Sequence, residues 1–99
     1  MPLLHVDLQE GFLGEPVVAT VNGRELFRKD GVRTRTQIGL ADSFEIKELP
    51  PGPTEIALTA RGATEEISVS LSADLYIGVS LTPEGRIVHK QSAHAFGYV

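Results

Sequence analysis

Ninety-nine residues with 41% hydrophobic and 22% charged side chains suit one folded domain, since a chain of this size buries roughly 65% of the surface its unfolded form exposes. The absence of cysteine excludes disulfide staples, thiolate nucleophiles, zinc–thiolate centres and iron–sulfur ligation, so stability must come from packing. A formal charge of −4 argues against a general nucleic-acid binder, which needs a basic face for phosphates.

No apolar run approaches the roughly 20 residues that span a bilayer, and the start, Met1-Pro2-Leu3-Leu4 followed by His5 and Asp7, lacks the pattern of a secretory signal. The expectation is a cytoplasmic chain with no membrane insertion and a single domain over 1–99. Along it, Leu4, Val6 and Leu8 alternate with His5, Asp7 and Gln9, which predicts a first strand over Leu3 to Glu10 with one apolar face, ended by Gly11 and Gly14. Val17 to Val21 is rich in β-branched residues and runs into Asn22-Gly23, the strongest short hairpin signal, with a return strand from Arg24 to Arg28. Lys29-Asp30-Gly31 reads as a second tight turn, and Val32, Thr34, Thr36 and Ile38 then alternate with Arg33, Arg35 and Gln37. Gly39 to Asp42 is expected as a loop.

Phe44 and Ile46 mark the next strand, closed by Leu49-Pro50-Pro51-Gly52-Pro53, where proline withholds ladder donors. Ile56, Leu58 and Ala60 form one inward series. Arg61-Gly62-Ala63 turns into Ile67, Val69 and Leu71, and Ser72-Ala73-Asp74 turns into the strand from Leu75 to Leu81. Thr82-Pro83-Glu84-Gly85 fits a type I turn before a short strand beginning Ile87-Val88-His89. The tail from Gln91 to Val99 fits either a strand on its own sheet or an arm. Short strands at this spacing, without a 3.6-residue apolar period, predict an all-β antiparallel sandwich of about seven or eight strands, transthyretin-like or immunoglobulin-like.

The succession Val21-Asn22-Gly23-Arg24-Glu25-Leu26, Phe44-x-Ile46 and Leu49-Pro50-Pro51-Gly52-Pro53-Thr54-Glu55-Ile56 resembles PEGA and carboxypeptidase-regulatory-like domains of the transthyretin-type sandwich, over about residues 16 to 82. Residues 28 to 42 are longer than the corresponding PEGA link. The resemblance implies a non-catalytic accessory or adhesion module, commonly bacterial, with no catalytic residues to carry over. A second likeness, His5-Val6-x-x-x-x-Gly11 with Phe96-Gly97-Tyr98, is to transthyretin-related hydrolases of urate breakdown. It implies a role for His5 with Arg33 or Arg35, but the late His-x-His-Val-Pro run of those enzymes is missing here.

Residue chemistry yields two surfaces and no catalytic constellation. His5 and Asp7 project together from one strand, too few ligands for a metal site, and His89 and His94 share no strand face; no metal, cofactor or catalytic residue is expected. Ser68, Ser70 and Ser80 lack a nucleophile elbow, and the glutamates serve exposed strand faces. Arg24, Arg28, Lys29, Arg33 and Arg35 stand against only Glu25 and Asp30, a cationic hairpin suited to an anionic small molecule, a sugar or an acidic partner. Ser68, Ser70, Tyr76, Gly78, Ser80 and Thr82 are expected to form the small, uncharged outer face of the last long hairpin. That face is expected to accept a protein partner or a second copy, as in a homodimer.

Overall fold

Period-two patterning builds eight strands and no helix in the computed structural model, which describes residues 2–35, 37–47 and 49–97. They are β1 (Leu4–Leu8), β2 (Leu13–Val21), β3 (Arg24–Arg33), β4 (Asp42–Ile46), β5 (Gly52–Ala60), β6 (Ala63–Leu71), β7 (Leu75–Leu81) and β8 (Ile87–Ser92). One four-stranded sheet has the order β4-β1-β7-β8 and the other β3-β2-β5-β6. The shortest extent of the molecule, 19 Å, fits two facing sheets about 10 Å apart with their outer side chains. This is the all-β sandwich that the patterning predicts.

The core lies between the sheets. Leu4, Val6 and Leu8 are fully buried and meet Ile77, Val79 and Leu81 from β7, with Val17, Ala19, Val21, Ile56, Leu58 and Ile67 opposite. Each such side chain contributes roughly 1.5–3 kcal/mol of burial before ordering entropy is subtracted. Phe12, Val32 and Ile87 join them, whereas Phe44, Ile46, Val69 and Leu75 are only partly buried.

Two short reversals read correctly. At Asn22-Gly23 (φ +52° and +81°) and Arg61-Gly62 (φ +50° and +74°) both turn residues are left-handed, as a two-residue hairpin requires. Four other expectations are corrected. The sandwich is not wholly antiparallel, because β1 pairs with β7 in parallel, Leu4 with Leu75 through Leu8 with Val79. Lys29-Asp30-Gly31 does not reverse the chain: β3 continues to Arg33, and Asp30 and Gly31 (φ +69°) form a bulge where β2 offers only Pro16, which has no N–H. The cationic strand expected to reach Ile38 stops at Arg33. The chain then turns tightly at Gly39, with Ile38 N–H and Gly39 N–H donating to Arg35 C=O. Thr36 lies outside the described residues.

The fourth correction matters most for function. Ser72-Ala73-Asp74 is not a hairpin turn, because β6 and β7 belong to different sheets. The segment carries the chain from one layer to the other. Leu75 N–H then donates to Leu3 C=O, and Leu3 N–H to the Asp74 carboxylate, starting the parallel ladder. At the tail, β8 runs to Ser92, and the Phe96 ring lies 5.3 Å from Lys90 Nζ. Tyr98 and Val99 lie outside the described residues.

Between β1 and β2 the chain switches sheets at Gly11, and two observations explain the glycine there. Its φ is +88°, and a Cβ would fall 1.9 Å from the Leu81 carbonyl oxygen. Thr34 fixes the same corner: its hydroxyl donates to Gln9 C=O and accepts from Phe12 N–H. Gly23, by contrast, has open space around it at φ +81°. Gly11→Ala is therefore expected to lose about 3–5 kcal/mol, backbone strain plus overpacking, against about 1–2 for Gly23→Ala. Urea unfolding of both variants checks this; equal losses would show that the Leu81 contact does not matter.

Candidate functional site

Strand edges, rather than a cavity, offer the most distinctive chemistry, because an edge strand carries unpaired N–H and C=O groups. The sandwich has four: β3 and β6 in one sheet, β4 and β8 in the other. β3 is bulged and studded with Arg24, Glu25, Arg28, Lys29, Asp30 and Arg33. β4 is five residues long and carries Asp42 and Glu45. β8 carries His89 and Lys90. β6 differs from all three: its nine residues pair with β5 in unbroken register, and Ile67-Ser68-Val69-Ser70-Leu71 contains no charge, proline or glycine.

Backbone parity shows which β6 groups are free. A strand residue sends its N–H and C=O to the same side. Glu55, opposite Ser68, commits both to the β2 side: its C=O accepts from Asn22 N–H (2.7 Å) and its N–H donates to Asn22 Oδ1 (2.9 Å). Glu55 and Ser68 thus form a non-hydrogen-bonded pair, and Pro53, opposite Ser70, has no N–H to give. The amides and carbonyls of Ser68 and Ser70 accordingly point away from β5.

They point to where the sandwich is open. At the β3/β4 lip, Phe27 stacks on Phe44 (centroids 4.3 Å apart, 13° between planes) and Lys29 Nζ meets Asp42 Oδ2 at 2.5 Å. Burial pushes the Asp42 pKa up, but the Lys29 bond, Ser43 N–H and the charges of Lys29 and Arg35 prevail, and it is lowered. At the β6/β8 lip one pair, His89 Nδ1 with Glu65 Oε2 at 2.9 Å, spans the gap. Beyond it a groove of about 390 Å³ runs along residues 68–75, faced by Gln91 and Ala93, with Asp74 its one charged lining residue.

The residues expected to form one association face are divided. Ser68 and Ser70 are on β6, with Ser68 Oγ donating to Glu55, while Tyr76, Gly78 and Ser80 are on β7 in the other sheet. Gly78 and Ser80 floor a shallow depression of about 240 Å³ with Gln9, Val88 and Lys90. Gly78 is a packing glycine: a Cβ there would fall 2.6 Å from Gln9 Oε1.

Nor do the cationic residues converge. Arg24 and Arg33 stand at the two ends of β3, roughly 30 Å apart along an extended strand. Arg28 is engaged by Glu25 (2.7 Å) and Lys29 by Asp42. The Glu25 bond raises the Arg28 pKa and the Arg28 bond lowers that of Glu25. Arg33 crosses from Leu13, and Arg35 bridges to Leu40 in the following turn. A separate pair ties β2 to the β5/β6 turn. Arg61 donates to Glu15 (2.8 Å), whose pKa burial would raise but whose bonds to Leu13 N–H and Arg61 lower it.

On the outer face of the β4-β1-β7-β8 sheet, register gathers a polar cluster. His5 lies between Glu45 of β4 and Tyr76 of β7, with Asp7 two residues along. Nε2 is 2.6 Å from Asp7 Oδ1, Nδ1 is 2.8 Å from Glu45 Oε2, and the Tyr76 ring is 5.5 Å away. Asp7 is only 3% exposed although it faces outward. Partial burial favours neutral His5, but the bonds and charges of Glu45 and Asp7 outweigh it and raise the pKa. Period two exposes the His5/Asp7 pairing in the sequence; the contribution of Glu45 depends on long-range register, and only the isolated Gly78 hints at the close packing beside it. Among the described residues no group of three or more His, Cys, Asp or Glu side chains has the geometry to hold a metal ion.

No protein-family model, curated protein or solved structure matches the chain.

A raised folded-state pKa for His5 means a stability contribution that is full below the unfolded value and is lost as pH rises through the folded value. The stability difference between wild type and His5→Gln should therefore shrink from about pH 5.5 to about pH 8.5. Urea titrations at both pH values check this; a difference that grows with pH contradicts it.

Proposed function

We propose that this chain is a non-catalytic β-sandwich interaction module that pairs the open edge of β6 with an extended strand of a protein partner or of a second copy. The observation that carries the reading is the contrast among the edges. Three are blunted by a bulge, charges or shortness, as proteins commonly do to prevent edge pairing. The fourth presents the Ser68 and Ser70 backbone groups to an uncharged stretch of groove.

Physical chemistry favours a main-chain partner at such a place. An added strand takes its affinity from backbone hydrogen bonds and its specificity from alternate side chains, which the groove along residues 68–75 can receive. Pairing along Ile67–Leu71 would span roughly 16 Å. The resemblance to PEGA and carboxypeptidase-regulatory-like domains points to the same accessory role. A hydrolase role for His5 would need a ring nitrogen open to substrate, and carboxylates occupy both. Anion binding by the cationic strand is the weaker alternative, because its residues are spread along β3 and two are already paired.

Ser70→Pro removes one outward N–H without touching the β5 ladder, since residue 70 faces Pro53 there. Sedimentation over a range of concentrations is expected to show association of the wild type, or saturable capture of a peptide copying residues 64–71, with either lost in Ser70→Pro. A wild type that stays monomeric and ignores the peptide contradicts the reading.

A further inference from the structure

We propose that His5 is a pH-sensitive strut that fastens the C-terminal end of edge strand β4 to the sheet. Both of its ring nitrogens contact a carboxylate oxygen, Nε2 that of Asp7 and Nδ1 that of Glu45. A neutral imidazole has one N–H and can donate to only one of them; the other contact would set lone pair against lone pair. The arrangement calls for an imidazolium donating to both, which joins β1 to β4 through a charged bridge.

The groups around His5 determine what happens when that proton leaves. Asp7 faces it from β1, Glu45 from β4, the Tyr76 ring from β7, and exposed Lys47 follows two residues after Glu45. Asp7 is buried and cannot turn to water, whereas Glu45 is exposed and can swing outward at little cost. Neutral His5 therefore keeps Asp7 and releases Glu45.

Strand β4 is sensitive to this loss. It is five residues long, and its ladder pairs it with β1 alone. Its beginning has other ties, from Lys29 to Asp42 and from Ala41 N–H to Leu8 C=O. Its end, where Glu45 and Ile46 pair with His5 and Leu4, is held by those last rungs, by the packing of Phe44 and Ile46, and by the strut, the one of these ties that a proton can remove. Raising the pH should loosen residues 44–46 and uncover the adjacent edge of β1, a histidine-controlled change near physiological pH.

Imidazole nitrogen shifts and residue-resolved amide exchange, corrected for intrinsic rates, test this between about pH 5.5 and 8.5. The proposal expects both His5 nitrogens to carry hydrogen at the lower pH, with a midpoint above that of histidine in an unstructured peptide. Protection of the Phe44 and Ile46 amides, opposite Val6 and Leu4, should fall several-fold through that midpoint while Ile77 and Val79 keep theirs. In Glu45→Gln, an exposed and conservative change, the midpoint should drop and the protection of β4 should lose its pH dependence. Hydrogen on only one His5 nitrogen at the lower pH, or protection of β4 that follows β7 at every pH, overturns the proposal.

Discussion

The parallel pairing of β1 with β7 is the constraint on which the rest of the structure depends. It places the fully buried Leu4, Val6 and Leu8 at the centre of one sheet, with β4 and β7 on either side. Because β7 is committed to β1, the chain leaving β6 must cross to the opposite layer. That crossing at residues 72–74 leaves the far side of β6 without a ladder partner and opens the groove beside it. Gly11 is a second consequence, since the chain leaving β1 must pass so close to Leu81 that no side chain fits.

Local pattern carried the strands well and their partners poorly. Alternation marks β1, β6 and β7 because one face of each is packed in the core, and Asn22-Gly23 declares its hairpin because both residues must be left-handed. Lys29-Asp30-Gly31 has the same composition as a turn but forms a bulge, since a left-handed glycine serves either and only the Pro16 opposite decides between them. Ser72-Ala73-Asp74, which reads as a hairpin turn, misleads for a different reason. Turn chemistry says that a chain bends, not whether it returns to its own sheet or crosses to another. Phe12, Val17, Val32 and Ile87 are core residues that alternation alone does not mark, because they lie at strand ends or beside breaks in it.

The same asymmetry applies to the sites. Ser68 and Ser70 attract attention in the sequence as small outward side chains, but it is their backbone that distinguishes them, and backbone direction follows from the commitments of Glu55 and Pro53 opposite. The cationic residues are conspicuous as a run, yet a strand spreads them at about 3.3 Å per residue and sends neighbours to opposite faces. Pairs such as Arg28–Glu25 are solvent-exposed and contribute little stability; they do make β3 an unattractive edge. Charge is thus concentrated where pairing is to be discouraged and missing from the half of β6 where it is open.

Residue-resolved hydrogen exchange along β6, in dilute protein kept monomeric, tests that claim most directly. The account predicts a period-two pattern, with Ile67 and Val69 amides protected by their bonds to β5 and Ser68 and Ser70 amides exchanging freely. Protection of Ser68 and Ser70 equal to that of their neighbours would mean the edge is already occupied within the monomer, and would contradict it.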